Sequence, residues 1–195
     1  ANTTLTLTAS VTNTQDLRIG GIPEYTINPD EWNGSIDEVL IYNKSLTASE
    51  VTELYKAGLS QHANANVSLQ TRVADSYNIS DAGLVGLWGL NSNSSGVAVD
   101  ETGVNNGTWV GAVPTDESGV VGKGGEFDGV DDYVDVGTVF SGTINTLSLG
   151  GWYKTSATGF SNRLMGSANS LTGKDGIDII IGATGNDNIY IVRRE

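Results

Sequence analysis

The chain has 195 residues and a formal net charge of −13, with 10 lysines and arginines against 23 acidic residues, so the molecule as a whole would repel a nucleic-acid backbone. It has no cysteine and one histidine, His62, which excludes disulfides, zinc–thiolate centres, thiol nucleophiles and histidine-rich metal sites and weakens any catalytic triad. No apolar run approaches the ~18 residues that a membrane-spanning helix needs, and 26 glycines against 3 prolines place most reversals on Gly, Asn and Asp.

Residues 3–20 read as two short strands. Leu5, Leu7 and Ala9 share one parity, and Leu17 and Ile19 resume after a turn at 13–16. Residues 21–35 hold Pro23, Pro29 and Gly34 and read as a loop. The run 36–42 is apolar on both parities apart from Asp37 and Glu38, which predicts a strand inside a sheet covered on both faces. Thr47 and Glu50 then form a capping box, followed by an apolar stripe at Val51, Leu54 and Tyr55, with Gly58 placed to end the helix. A helix over 48–57 follows. Residues 60–82 are polar, with a candidate strand at 67–73, and serve as a linker. Beyond it, strands are expected at 84–88, 108–110, 125–128, 133–136, 146–153, 163–165, 178–181 and 188–192. Many short strands with Gly/Asn/Asp turns point to an all-β sandwich or jelly roll.

The stretch Gly34–Tyr55, "GSIDEVLIYNKSLTASEVTELY", resembles the closing strand and capped helix of LamG-like, concanavalin-like jelly-roll domains. Leu84–Leu90 resembles the opening strand of that family. "DETGVNNG" at 100–107, "GEFDGVDDYV" at 125–134 and the strand at 146–153 resemble its next motifs. The order is inverted. Residues 1–58 resemble the end of one module, 59–83 a linker, and 84–195 the start of the next. Three arrangements satisfy this order: a piece of a tandem array, a subunit whose halves complete neighbouring copies head to tail, or a permuted domain that closes on itself. A half-sandwich exposes an apolar face and unpaired edges, so each half needs a partner.

The acidity fits solubility, life at high salt, or carboxylates that hold Ca²⁺. Ca²⁺ takes six to eight oxygen ligands, and the loop 100–107 offers Asp100, Asn105 and Asn106 beside glycines. The resemblance implies a rim Ca²⁺ with Asp100 as a ligand, carbonyls from 103–107, and Asp37 approaching from the closing strand. The alternative is that these residues stabilise turns. Asp128, Asp131, Asp132 and Asp135 form the densest acidic cluster, read either as a solvated hairpin or as a further calcium site formed by Asp131 and Asp132 or a sugar-binding edge. Gly173–Ile181 and Gly182–Tyr190 repeat at nine residues, which resembles Ca²⁺-binding β-roll repeats and makes Asp178 and Asp187 secondary metal candidates; an ordinary hairpin is the competing reading.

Trp32, in the Pro/Gly loop, is the candidate exposed platform for a sugar ring, whereas Trp88 and Trp152 lie in regular strands. Glu38, Glu126 and Asp128 lack the paired-glutamate strand signature of family-like glucanases, so catalytic residues are not expected. Seven Asn-x-Ser/Thr sequons, at Asn2, Asn33, Asn43, Asn66, Asn78, Asn93 and Asn106, favour an exported, glycosylated surface protein. The sequence thus reads as a non-enzymatic extracellular or cell-surface module, structural or adhesive, with neighbouring copies or adjacent modules as partners. The alternative is a calcium-dependent carbohydrate-binding module directed at extracellular glycans. Neither reading includes nucleic acid or a membrane-spanning segment.

Overall fold

The computed structural model of the chain describes residues 6–13, 15–21, 31–62, 81–115, 119–120, 122–140, 142–155, 162–167, 176–182 and 188–194. The predicted strand at 67–73, Asp187, and the sequons at Asn2, Asn66 and Asn78 lie outside these residues.

The elements are β1 (Thr6–Asn13), β2 (Arg18–Ile19), β3 (Asn33–Tyr42), α1 (Ala48–His62), β4 (Leu84–Trp88), β5 (Val97–Ala98), β6 (Gly107–Val110), β7 (Val113–Thr115), β8 (Gly124–Asp128), β9 (Tyr133–Asp135), β10 (Gly142–Thr146), β11 (Ser148–Thr155), β12 (Asn162–Gly166), β13 (Gly176–Gly182) and β14 (Asn188–Arg194). They form two main sheets. One runs β14-β13-β12-β2-β9-β6-β5; the other runs β11-β3-β8-β7 with β4 also on β3, and β1 pairs with β10 separately. The architecture is a β-sandwich with one capped helix.

The core lies between the sheets. Ile19, Val134, Met165, Ile177 and Ile179 of the longer sheet belong to one buried cluster with Ile36, Val39, Ile41, Trp88 and Phe127 of the shorter one. Leu40, Tyr42 and Leu87 form a second cluster with Leu46, Leu54 and Ala57, so α1 covers the other face of β3 and β4. This double cover is why β3 is apolar on both parities.

One detail of β3 escapes an alternation rule. Ile36 and Val39 differ in parity, yet both join the inter-sheet core. Between them Glu38 has φ 50°, and the register with β11 skips from Asp37↔Trp152 to Leu40↔Gly150. Two residues of β3 thus oppose one of β11, a bulge that switches which parity faces inward.

Every described strand of residues 1–58 pairs with strands of residues 84–195. β1 pairs with β10, β2 sits between β12 and β9, and β3 contacts β11, β8 and β4. The two segments are therefore interleaved within one chain.

The capping box is present: Thr47 N–H donates to Glu50 Oε2 at 2.7 Å, and Glu50 N–H donates to Thr47 Oγ1 at 3.3 Å. The helix does not stop before Gly58 but continues to His62. Gly58 is buried inside it and does not terminate it. The expected strand 146–153 is divided at Leu147 between β10 and β11. β13 and β14 pair antiparallel, from Gly176↔Arg194 to Gly182↔Asn188. That is the ordinary hairpin; a parallel β-roll would require parallel neighbours.

Candidate metal centre

β8 belongs to the shorter sheet and β9 to the longer one, so residues 129–132 cross from one layer to the other. The crossing is tight. Gly129 has φ 78°, a left-handed conformation that L side chains rarely adopt. Asp128 Oδ1 accepts from Val130 N–H at 2.8 Å, and Asp132 Oδ2 accepts from Asp128 N–H at 2.8 Å. These bonds fold Asp128, Asp131 and Asp132 together, and each places a carboxylate oxygen within 4.8 Å of the others. Asp128 and Asp131 are exposed and Asp132 is buried. Among the described residues this is the group of three or more acidic or histidine side chains with metal-binding spacing.

A fourth carboxylate, Glu31 of the other segment, lies near this group but outside the set of oxygens within 4.8 Å of one another. β3 pairs Asn33 with Asp128, and Asn33 Nδ2 donates to Asp128 O at 2.6 Å. Glu31, two residues earlier, therefore lies beyond the end of β8, where it forms a parallel bridge with Arg163 of β12. A Cβ built on Gly21 would sit 3.2 Å from Asp132 O and 3.4 Å from the Glu31 carboxyl carbon, so the two flank one glycine. Glu31 is 8% exposed, and its Oε2 has no hydrogen-bond partner among the described residues. Burial, together with the negative charges of Asp131, Asp128 and Asp132, lifts its pKa from 4.5 to about 7 against the opposing pull of Arg163. The Asp132 carboxyl is also raised, first by burial and then by Asp128 and Asp131, while the Asp128 N–H works the other way. The Arg163 guanidinium also faces Asp178, at 3.6 Å and buried, so its charge is shared. Crowded carboxylates with few donors form a hard-oxygen set that a cation can coordinate.

The loop favoured by the resemblance is built differently. Asp100 is 1% exposed. Its Oδ1 accepts from the N–H groups of Leu87 (2.9 Å) and Thr102 (3.0 Å), and its Oδ2 from Thr102 Oγ1 (2.6 Å) and Asn105 N–H (2.9 Å). Four donors match the roughly four lone-pair sites of a carboxylate. Asn105 Nδ2 donates to Val85 O, and Asn106 Oδ1 accepts from Asp100 N–H. Asp37 is buried and its Oδ2 accepts from Val120 N–H at 2.6 Å. Asp100, Asn105 and Asp37 thus act as staples between loops and strands, and among the described residues they do not come together with three carboxylates at metal-binding spacing. Asp178 is 0% exposed and paired with Arg163 inside the sandwich.

Trp32 is not an exposed platform. It is 0% exposed and meets Tyr153 edge-on at 5.7 Å and 88°. The ring pair at the surface is Tyr55 of α1 with Trp152 of β11, with centroids 5.4 Å apart; Tyr55 is 55% exposed. Asp135 turns away from the acidic loop to Arg18 at 3.2 Å. The sequon residues Asn33, Asn43, Asn93 and Asn106 are exposed.

Of the sequence candidates, Asp131 and Asp132 come together with Asp128. Glu31 was missed, because nothing local distinguishes it; the pairing of β3 with β8 brings it in. No family model matches the chain, and no curated protein or solved structure does. Among the described residues no helix is long and apolar enough to cross a membrane.

Proposed function

We propose that this chain is a non-enzymatic, extracellular structural or adhesive module of the LamG-like type, whose inter-sheet loop at 128–132 binds Ca²⁺. The carrying observation is the group Asp128, Asp131 and Asp132, each with a carboxylate oxygen within 4.8 Å of the others, with the buried Glu31 near enough to feel their charge. A bound dication offsets like-charge repulsion and orders the crossing between layers. The interleaving of 1–58 with 84–195 supports a module completed by joining an end segment to a start segment. That joining occurs within one chain here, and the same pairing made between copies yields the head-to-tail assembly that adhesion uses.

Titration calorimetry of the whole chain with Ca²⁺ tests the reading. Binding is expected, with loss on the combined Asp131→Asn and Asp132→Asn replacement; absence of binding in the unmodified chain overturns it. Light scattering across a concentration series tests assembly, with growth of mass expected at high concentration.

The Tyr55–Trp152 pair supports a second reading, a carbohydrate-binding module, because flat exposed rings stack on sugar faces. Tryptophan quenching by one glycan class, removed by Tyr55→Ala, would favour it over the structural reading.

A further inference from the structure

We infer that the cavity between α1 and the turn at 81–84 is a binding site for a small primary alkylamine, separate from the acidic loop at 128–132. The cavity has a volume of about 290 Å³, near the lower end of the roughly 300–1,000 Å³ range of small-molecule pockets. Its lining holds two kinds of residue. Tyr42, Leu46, Leu54 and Ala57 give an apolar floor and wall, while Glu50, Glu53 and Asp81 give carboxylates. The apolar part is firm, because Leu46, Leu54 and Ala57 pack against the buried cluster of Leu40, Tyr42 and Leu87. An apolar wall beside carboxylates matches a short alkyl chain that ends in a cation.

The protein's own Lys44 displays the chemistry of this place. Its Nζ donates to Glu50 Oε1 at 3.0 Å and to Asp81 Oδ2 at 2.7 Å, and it lies 5.8 Å from the centre of the Tyr42 ring, within cation–π range. The other oxygens of those two carboxylates are also engaged. Glu50 Oε2 accepts from the Thr47 N–H and hydroxyl, and Asp81 Oδ1 accepts from Gly83 N–H. Glu50 and Asp81 are thus held in place by the fold. Glu53 is different. It is exposed, one turn after Glu50 on α1, and it makes no ion pair or side-chain hydrogen bond among the described residues. Three carboxylates therefore face the one ammonium of Lys44, which leaves negative charge beside Leu54 and Ala57. A ligand ammonium at Glu53 balances that charge while its methylenes cover the apolar wall, each buried methylene tightening binding about 4-fold. An anion is repelled, and a neutral alcohol leaves the charge unbalanced.

The test follows backbone amide shifts of the whole chain by NMR during titration with n-butylammonium at constant ionic strength, with methylammonium and 1-butanol as comparisons. Saturable shifts are expected at Leu46, Glu53, Leu54 and Ala57. Methylammonium should bind at least about 10-fold more weakly for want of the alkyl chain, and 1-butanol at least about 3-fold more weakly for want of the charge. Glu53→Gln should weaken n-butylammonium about 3-fold or more with circular dichroism unchanged. Glu126→Gln removes the same charge from an exposed position of β8 outside the cavity, and it should leave binding as it was. Equal binding of methylammonium or of 1-butanol would overturn the proposal. So would shifts spread over exposed carboxylates and unaffected by Glu53→Gln, since these report only attraction to a chain of net charge −13. None of the lining residues belongs to 128–132, so the outcome is read independently of calcium binding.

Discussion

Two acidic loops of this protein look alike in sequence and behave oppositely in the fold. Residues 100–107 and 128–132 both set aspartates beside glycines. In the first, one buried carboxylate meets four donors. In the second, three carboxylates lie within 4.8 Å of one another, and a buried glutamate stands near enough to feel their charge. Donors make the first loop a structural staple, and the crowding of the second leaves a triad that could coordinate a cation. Counting donors, rather than acidic residues, separates a turn from a metal site.

The comparison breaks most readily at Asp100. Asp100→Ala should cost about 3 kcal/mol or more, because it orphans several buried donors at once. Urea denaturation should give the same loss with Ca²⁺ and with chelator; a loss confined to calcium-containing buffer would make Asp100 a ligand after all. Asp131→Asn is the opposite case. The residue is exposed, so calcium-free stability should change by less than about 0.5 kcal/mol, while calcium affinity by calorimetry falls about 10-fold as ligand charge is removed.

The helix cap applies the same rule at the surface. Thr47→Ala should lower stability by about 1 kcal/mol through loss of the N-cap acceptor, read as a shifted denaturation midpoint unaffected by calcium. The smallest effect concerns Glu50. Hydrogen bonds from the Thr47 N–H, the Lys44 ammonium and the Thr47 hydroxyl hold its pKa down, from 4.5 to about 2. A depressed carboxyl favours the folded state above its unfolded pKa, so this contribution is complete above about pH 4.5 and is lost as pH falls toward 2. Glu50→Gln should flatten that part of the helix signal in circular dichroism; an unchanged acid limb would show that the bonds to Glu50 add nothing.

Much of the fold was legible because it follows from local pattern. The double-sided apolar run of β3, the capping box at Thr47 and Glu50, and the strands with Gly/Asn/Asp reversals each depend on residues a few positions apart. The longer helix was not legible, since Gly58 reads as a stop until its burial is known. The switch of parity at Glu38 was not legible either, since a bulge is defined against its partner strand. At the site, Asp131 and Asp132 stood out by density, but their difference from Asp100 did not.

The sequence by itself determined that this is a cysteine-free, acidic chain of short strands with one capped helix, because composition, periodicity and turn chemistry act over a few residues. The tertiary structure decided which carboxylates are satisfied, that Trp32 is buried and Tyr55 exposed, and that Glu31 feels the charge of a loop far along the chain. Strand pairing between the two segments sets those outcomes, since a side chain's donors, charges and solvent come mainly from residues distant in sequence.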